Sequence, residues 1–119
     1  MKLNHIDLPV TDLAAASDYF QRGFGFERIP AGADGMAILR GEDGFALILQ
    51  QAEKADYPPS FHIGFLQPSD DAVHAAYQRI ADAGLPLPPA PAVSYGCLAF
   101  WCQVPGGVLI EVSHRPGRN

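Results

Sequence analysis

The chain has 119 residues, of which 48% are hydrophobic and 18% charged, and its formal net charge is −5. This length suits one domain, and the composition excludes a disordered chain. No apolar run approaches the roughly 20 residues of a membrane-spanning helix, and the first residues lack the apolar stretch of a secretory signal. The negative charge, without a Lys/Arg cluster, disfavours nucleic acid as a partner. The sequence therefore predicts a folded cytoplasmic protein that binds neither nucleic acid nor membrane.

The first half of the chain predicts a strand, a helix and three further strands. Leu3–Val10 alternates with the period of a strand. Thr11 or Asp12 is suited to cap the helix that follows, and Gly23 and Gly25 are suited to end it. Short runs separated by Gly- and Asp-rich turns then predict a three-stranded meander, at Phe26–Pro30, Gly35–Leu39 and Phe45–Gln50.

The second half repeats this order after a polar linker at about 52–60. Phe61–Leu66 predicts a strand, and Ser69 is suited to cap a helix that Gly84 ends. Leu85–Gly96 carries four prolines and predicts a loop with room for a short edge strand. Two strands joined by a Pro-Gly-Gly turn complete the chain, at Leu98–Val104 and Val108–Ser113.

The element order predicts an α+β fold of two βαβββ modules within a single domain spanning residues 1–119. Module one covers about 1–51 and module two about 61–115, and each cupped half-barrel sheet is covered by its helix on the outer face. Individual residues of the two halves also match. His5-Ile6 recurs as His62-Ile63 at an offset of 57, and Leu47-Ile48-Leu49 aligns with Leu109-Ile110-Glu111 at an offset of 62.

Three side chains are candidates for a metal site, because the repeat places them at related strand positions. His5 and His62 lie on the first strand of each module, and Glu111 lies on the last strand of module two. A histidine on a strand is often structural, and a strand glutamate is often solvated. A carboxylate in the apolar run Val108–Val112 nevertheless needs a partner. If the modules pair, two imidazoles and one carboxylate form the facial arrangement that binds Fe(II) and similar ions.

These residues resemble the vicinal oxygen chelate superfamily, which includes glyoxalase I, extradiol dioxygenases, and fosfomycin- and bleomycin-resistance proteins. Leu3-Asn4-His5-Ile6 and Val10-Thr11-Asp12-Leu13 are similar to its opening module, and the stretch from Pro105 to Glu111 is similar to its closing turn and last ligand. The resemblance covers nearly the whole chain. It implies His5, His62 and Glu111 as ligands of a divalent metal, with Fe(II) or Mn(II) favoured and Zn(II) or Ni(II) as alternatives.

Two departures from the family pattern bear on the activity. The fourth ligand of glyoxalase I, a glutamate, falls on Leu49 in the repeat alignment, and Gln50 faces the opposite side. This favours the three-ligand members of the superfamily. Those members commonly have a tyrosine ten residues before the last glutamate, where this chain has Trp101. An indole is neither acid nor base but stacks on planar groups, so ring-cleavage chemistry of the familiar kind is not implied.

Other residues are predicted to surround the metal site. Leu47, Leu49 and Trp101 are expected to form a mostly apolar substrate pocket, which suits a flat aromatic molecule. Tyr95 at the mouth of this pocket and Asp7 beside His5 are the candidate catalytic residues. His114 is expected on the opposite face of its strand, and Arg115 is placed in the tail, away from the site.

Two functions remain open at the level of sequence. The first is a metal-dependent enzyme that chelates vicinal oxygens of a small, aromatic or vicinal-oxygen substrate, more like a dioxygenase than glyoxalase I. The second is a metal-free protein that binds a small molecule or antibiotic, as bleomycin-resistance relatives do. The resemblance also implies a homodimer. Gln51–Ser60 is long enough to let the two modules close within one chain or be exchanged between two chains, and the exchanged form is slightly favoured.

Overall fold

The computed structural model describes residues 1–117, which form two units with the same order of elements. The first unit comprises residues 1–57 together with 104–108, and the second comprises 58–103 and 109–117. The first unit contains β1 (His5–Val10), α1 (Leu13–Asp18) with a π-helical turn (Tyr19–Gly23), β2 (Glu27–Ile29), β3 (Met36–Arg40), a 3-10 turn (Glu42–Gly44) and β4 (Ala46–Gln51). The second contains β5 (His62–Leu66), α2 (Asp70–Asp82), β6 (Ala92–Ser94), β7 (Cys97–Gln103) and β8 (Leu109–His114).

Each unit has one four-stranded mixed sheet, and the strand order is the same in both. The order is β1-β4-β3-β2 in the first unit and β5-β8-β7-β6 in the second. In each sheet the first strand pairs in parallel with the last, and the other pairs are antiparallel. The predicted α+β fold of two βαβββ modules is confirmed.

The core of the first unit lies between its sheet and α1. The helix begins where predicted, because the Asp12 carboxylate accepts a hydrogen bond of 3.0 Å from the Ala15 amide. Ala16 and Phe20 are fully buried. Buried residues of the strands complete this core: Leu8, Val10, Ala37, Leu39, Leu47 and Leu49. A fully buried leucine or phenylalanine contributes about 1.5–3 kcal/mol to folding.

The second unit buries one face of α2 against its sheet. The Ser69 hydroxyl caps the helix by accepting a 3.1 Å hydrogen bond from the Ala72 amide. Val73 and Ile80 are fully buried, and Tyr77 packs edge-on against Phe100. None of the helices described between residues 1 and 117 is long and apolar enough to cross a membrane.

The first strand and the first helix differ in their bounds from those predicted by the sequence. The first strand begins at His5, and Leu3 is largely exposed. The first helix is α-helical only to Asp18, and its last turn widens into a π-helical turn. The short edge strand that the sequence allowed in the proline-rich loop forms as β6, which turns back into β7 through Tyr95 and Gly96, both at positive φ. That conformation is typical of a two-residue hairpin turn.

The turn between β7 and β8 belongs to the first unit, although both strands belong to the second. The Thr11 amide donates a 2.8 Å hydrogen bond to the Gly106 carbonyl. Val104 and Val108, which flank this turn, are fully buried. Residues 104–108 therefore complete the first unit, whereas the sequence assigned them to module two.

Candidate functional site

Glu111 occupies the centre of one face of the second sheet. Strand pairing places it between Gly64 of β5 and Trp101 of β7. Its strand neighbours Ile110 and Val112 are buried on the other face, towards α2. Because side chains alternate along a strand, His62 shares the face of Glu111. We call this surface the site face, and it is defined by His62, Gly64, Trp101, Glu111 and Ser113.

The ring of His62 is held in one orientation by two neighbours. Its Nδ1 lies 3.0 Å from the Ser60 carbonyl oxygen. Since a carbonyl only accepts, Nδ1 carries the proton, and Nε2 is the nitrogen left with a lone pair in the neutral ring. The indole of Trp101 contacts the ring edge-on at a centroid distance of 4.8 Å. A ring whose second nitrogen donates to a carbonyl is in the state that metal-binding histidines adopt.

The carboxylate of Glu111 is largely buried, and one of its oxygens forms a salt bridge with an arginine side chain. Its side chain is only 13% exposed, and the Arg115 guanidinium donates to Oε1 at 2.9 Å. The Ser113 hydroxyl donates to the same oxygen at 3.3 Å. The partner that the sequence required for this carboxylate is therefore Arg115, which the sequence had placed away from the site.

Gly64 leaves one side of Glu111 without a covering side chain. A methyl group added at Gly64 would lie 3.9 Å from Oε1 of Glu111, an ordinary contact distance. Any larger residue there would extend over the carboxylate. The glycine thus keeps the space beside Glu111 accessible on the site face.

In the first unit, His5 is part of a hydrogen-bonded series of polar side chains. Its Nε2 lies 2.7 Å from Oδ2 of Asp7, and the Gln50 amide donates to Oδ1 of Asp7 at 2.9 Å. The hydrogen bond from Gln50, followed by that from His5, lowers the pKa of Asp7. Asp7 is accordingly ionised at neutral pH and holds the proton of His5 on Nε2, which leaves Nδ1 as the nitrogen free to bind.

Leu47 and Leu49 do not lie on the face of His5. Both are at most 1% exposed and pack on the helix side of the first sheet. The expectation that they line a substrate pocket is therefore wrong, because residues on that face of β4 point into the core. Strand pairing sets His5 beside Ala46 and His62 beside Leu109, so the position equivalent to Glu111 is Ile48. Isoleucine cannot bind a metal any more than leucine can, so the departure from the four-ligand pattern remains.

Tyr95 is not brought to the site face. It lies fully exposed at the tip of the β6–β7 hairpin, and β6 is the edge of the sheet remote from β5. His114 lies on the helix side, as predicted, where its Nδ1 is 2.7 Å from Oδ1 of Asp70. Its side chain is 19% exposed and therefore partly buried.

The donor chemistry suits a divalent metal, although each unit holds only part of the predicted set. Imidazole nitrogen and carboxylate oxygen are ordinary ligands of Fe(II), Mn(II) and Zn(II). His62 and Glu111 lie on one face of the second sheet, and His5 lies in the first unit. Within the described part of the chain, residues 1–117, no three or more His, Cys, Asp or Glu side chains gather as a metal-binding group.

Comparison with known proteins identifies similar chains. Residues 2–112 match the family model of the Glyoxalase/Bleomycin resistance protein/Dioxygenase superfamily. A structure described as a possible glyoxalase from Bacillus cereus is 33% identical with a TM-score of 0.79, and the match covers 94% of this chain and 97% of that one. No protein with a curated description matches.

Two more distant structures are similar in fold. A glyoxalase/bleomycin resistance protein/dioxygenase from Nocardioides is 19% identical with a TM-score of 0.77, over 100% of this chain and 89% of that one. Lactoylglutathione lyase from Agrobacterium tumefaciens is 17% identical with a TM-score of 0.73, over 95% and 92%. At these identities the likeness is one of fold and carries no activity.

Proposed function

Because the chain belongs to the Glyoxalase/Bleomycin resistance protein/Dioxygenase superfamily, we propose that it is a metal-dependent enzyme acting on a small substrate. His62 and Glu111 are its ligands in the second unit, and His5 is the third. The preferred ions are Fe(II) and Mn(II), with Zn(II) or Ni(II) as alternatives. A bound ion would act as a Lewis acid on vicinal oxygens of the substrate, or would activate dioxygen.

The orientation of His62 is the observation that supports this proposal most directly. The Ser60 carbonyl holds the proton on Nδ1, so Nε2 is available on the site face that also carries Glu111. This is the tautomer in which a histidine can bind a metal through Nε2. Trp101, 40% exposed and opposite Glu111, offers a flat surface to an aromatic or otherwise planar substrate.

Other residues of the chain have supporting roles in this proposal. Asp7 already uses both oxygens, one towards His5 and one towards Gln50, so it serves as a positioning residue for His5. Ile48 stands where glyoxalase I has its fourth ligand, a glutamate. Since isoleucine cannot bind a metal, that coordination position is left for substrate or water. We assign no catalytic role to Tyr95.

Metal binding by a charge-neutralised variant tests the proposal. Glu111→Gln keeps the size of the side chain but removes the anionic ligand, so we expect Mn(II) affinity to fall at least tenfold, about 1.4 kcal/mol. Isothermal titration calorimetry with Mn(II), and elemental analysis of untagged protein, measure this. Glu53→Gln, at an exposed position outside the sheets, is the matched control and should bind as the wild type does. Equal affinity in the Glu111→Gln variant removes Glu111 from the site.

One observation favours a second function, a metal-free protein that binds a small molecule. The guanidinium of Arg115 already neutralises Glu111 without any metal. In that case untagged protein contains substoichiometric metal, and added Fe(II), Mn(II), Ni(II) or Zn(II) does not restore it. Planar aromatic ligands would still change the fluorescence of Trp101.

A further inference from the structure

We propose that Arg115 is a built-in competitor for divalent metal at Glu111, and that an anionic group on the substrate relieves this competition. The inference rests on the proposed metal site and goes beyond it in two respects. It assigns a function to Arg115, which is not one of the predicted metal ligands. It also specifies the substrate class as a planar organic anion.

The position of Arg115 is the first step in this argument. It follows β8 directly and reaches back over Ser113 to Glu111, with a nitrogen 2.9 Å from Oε1. Ser113 is itself 1% exposed and donates to the same oxygen. One of the two oxygens of the Glu111 carboxylate is therefore already engaged by a positive charge in a largely buried setting.

The contact between Arg115 and Glu111 has two opposing effects on the affinity for a metal, and the larger one decides the outcome. A hydrogen-bonded partner helps to orient a ligating carboxylate, which favours binding. A divalent ion held by Glu111 would share this carboxylate with the guanidinium of Arg115. Repulsion between a double and a single positive charge on one carboxylate exceeds the benefit of one charge-assisted hydrogen bond when screening is poor. Arg115 therefore lowers the affinity for metal.

The chemistry of the guanidinium points to the ligand that reverses this effect. Arginine has five N–H donors in a planar fork, which suits a carboxylate. The side chain of Arg115 is 38% exposed, so an anion can reach it from solvent. An anion bound there offsets the positive charge and reduces its repulsion of the metal. Trp101, directly opposite Glu111, provides the flat surface for the rest of such a molecule. By linkage, metal and anion then raise each other's affinity by the same factor.

Mn(II) titration of three Arg115 forms tests the competition. We expect the Arg115→Gln variant to bind Mn(II) at least tenfold more tightly than the wild type, since glutamine is polar but lacks the charge that repels the metal. Arg115→Lys retains the charge and should remain within about threefold of the wild type. Arg28→Gln removes an exposed arginine on β2 of the first unit and should change nothing.

Benzoate and benzamide test the anion, because they share a ring and differ in charge. Benzoate should tighten Mn(II) binding to the wild type by threefold or more, and benzamide should not. Arg115→Gln should abolish the gain. A gain that persists in this variant shows that benzoate binds the metal itself, which overturns the assignment of an anionic substrate to Arg115.

The outcomes separate this inference from the proposed function. Mn(II) binding by the wild type that is no tighter in Arg115→Gln overturns the role of Arg115 alone. Absence of Mn(II) binding in both folded proteins overturns the metal assignment and, with it, this inference. If Arg115→Gln fails to fold, the wild type still decides, since equal effects of benzoate and benzamide contradict the proposal.

Discussion

Trp101 gives this protein a natural reporter of its candidate site. It is the single tryptophan of the chain, and its ring lies 4.8 Å from that of His62. Its fluorescence therefore depends on what His62 binds. A paramagnetic ion bound by His62 would lie close enough to the indole to quench its emission.

We expect Ni(II) or Mn(II) to quench the Trp101 emission in proportion to the metal bound. Substitution His62→Ala should remove the saturable part of the quenching, because it removes the nitrogen that the Ser60 carbonyl orients. His74→Ala, on the exposed side of α2, is the control and should retain the full effect. Fluorescence titration at constant ionic strength measures both. Saturable quenching that survives in His62→Ala would show that the metal binds elsewhere.

Single positions are predictable from the sequence where the alternation of one strand fixes the face of a residue. His62 and Glu111 were placed on a shared sheet face by the alternation of their own strands, and strand pairing bears this out. Leu49 was placed by aligning the two halves at an offset of 62, whereas strand pairing gives 63 and selects Ile48. A shift of one residue in the alignment assigns every side chain of a strand to the opposite face. The predicted lining of the pocket by Leu47 and Leu49 is wrong for this reason. Arg115 was missed because it lies one residue beyond the last strand.

At the level of elements, the sequence predicted the strands and helices well because their signals are local. Caps at Asp12 and Ser69 form as expected. What the sequence could not show is that the turn at 104–108 packs with the first unit. That packing depends on a contact between Thr11 and Gly106, which are 95 positions apart, so no local pattern can predict it.

The contact of this turn predicts an unusually large effect of one methyl group. Gly106 has φ +64, and an added Cβ would collide with the Thr11 side chain and approach the Asp12 amide nitrogen to 3.1 Å. We expect Gly106→Ala to lower the free energy of unfolding by about 3 kcal/mol. Gly84→Ala has a similar φ of +70 with nothing within 4 Å, so it should lose about 1–2 kcal/mol from backbone strain alone. Urea denaturation measures both, and equal losses would show that the turn is not closely packed.

On the scale of the whole molecule, we predict a homodimer in which the two modules are exchanged between chains. The sequence pattern suggests this arrangement, since the segment at 51–60 is long enough to permit it. In that arrangement His5 of one subunit meets His62 and Glu111 of the other. Light scattering at micromolar concentration should therefore give twice the mass of the 12.8 kDa chain.

Mixing two inactivated chains decides how the site is assembled. A His5→Ala chain and a Glu111→Ala chain each lack one ligand, so each alone should bind Mn(II) weakly. After subunit exchange, the mixture should regain one intact site per heterodimer if the modules are exchanged. A mixture that binds no more than its parts places the site within a single chain, and a monomer contradicts the assembly altogether.

The turn at 104–108 limits where the chain can be cut or recombined. Although the two halves repeat one another, a cut in the linker does not yield two complete halves. The first would lack the carbonyl that receives the Thr11 amide, and the second would expose Val104 and Val108. Recombination that exchanged second halves between relatives would have to preserve this contact. The repeated units are therefore not independent pieces of chain, because residues 104–108 lie between two strands of the second unit and complete the first.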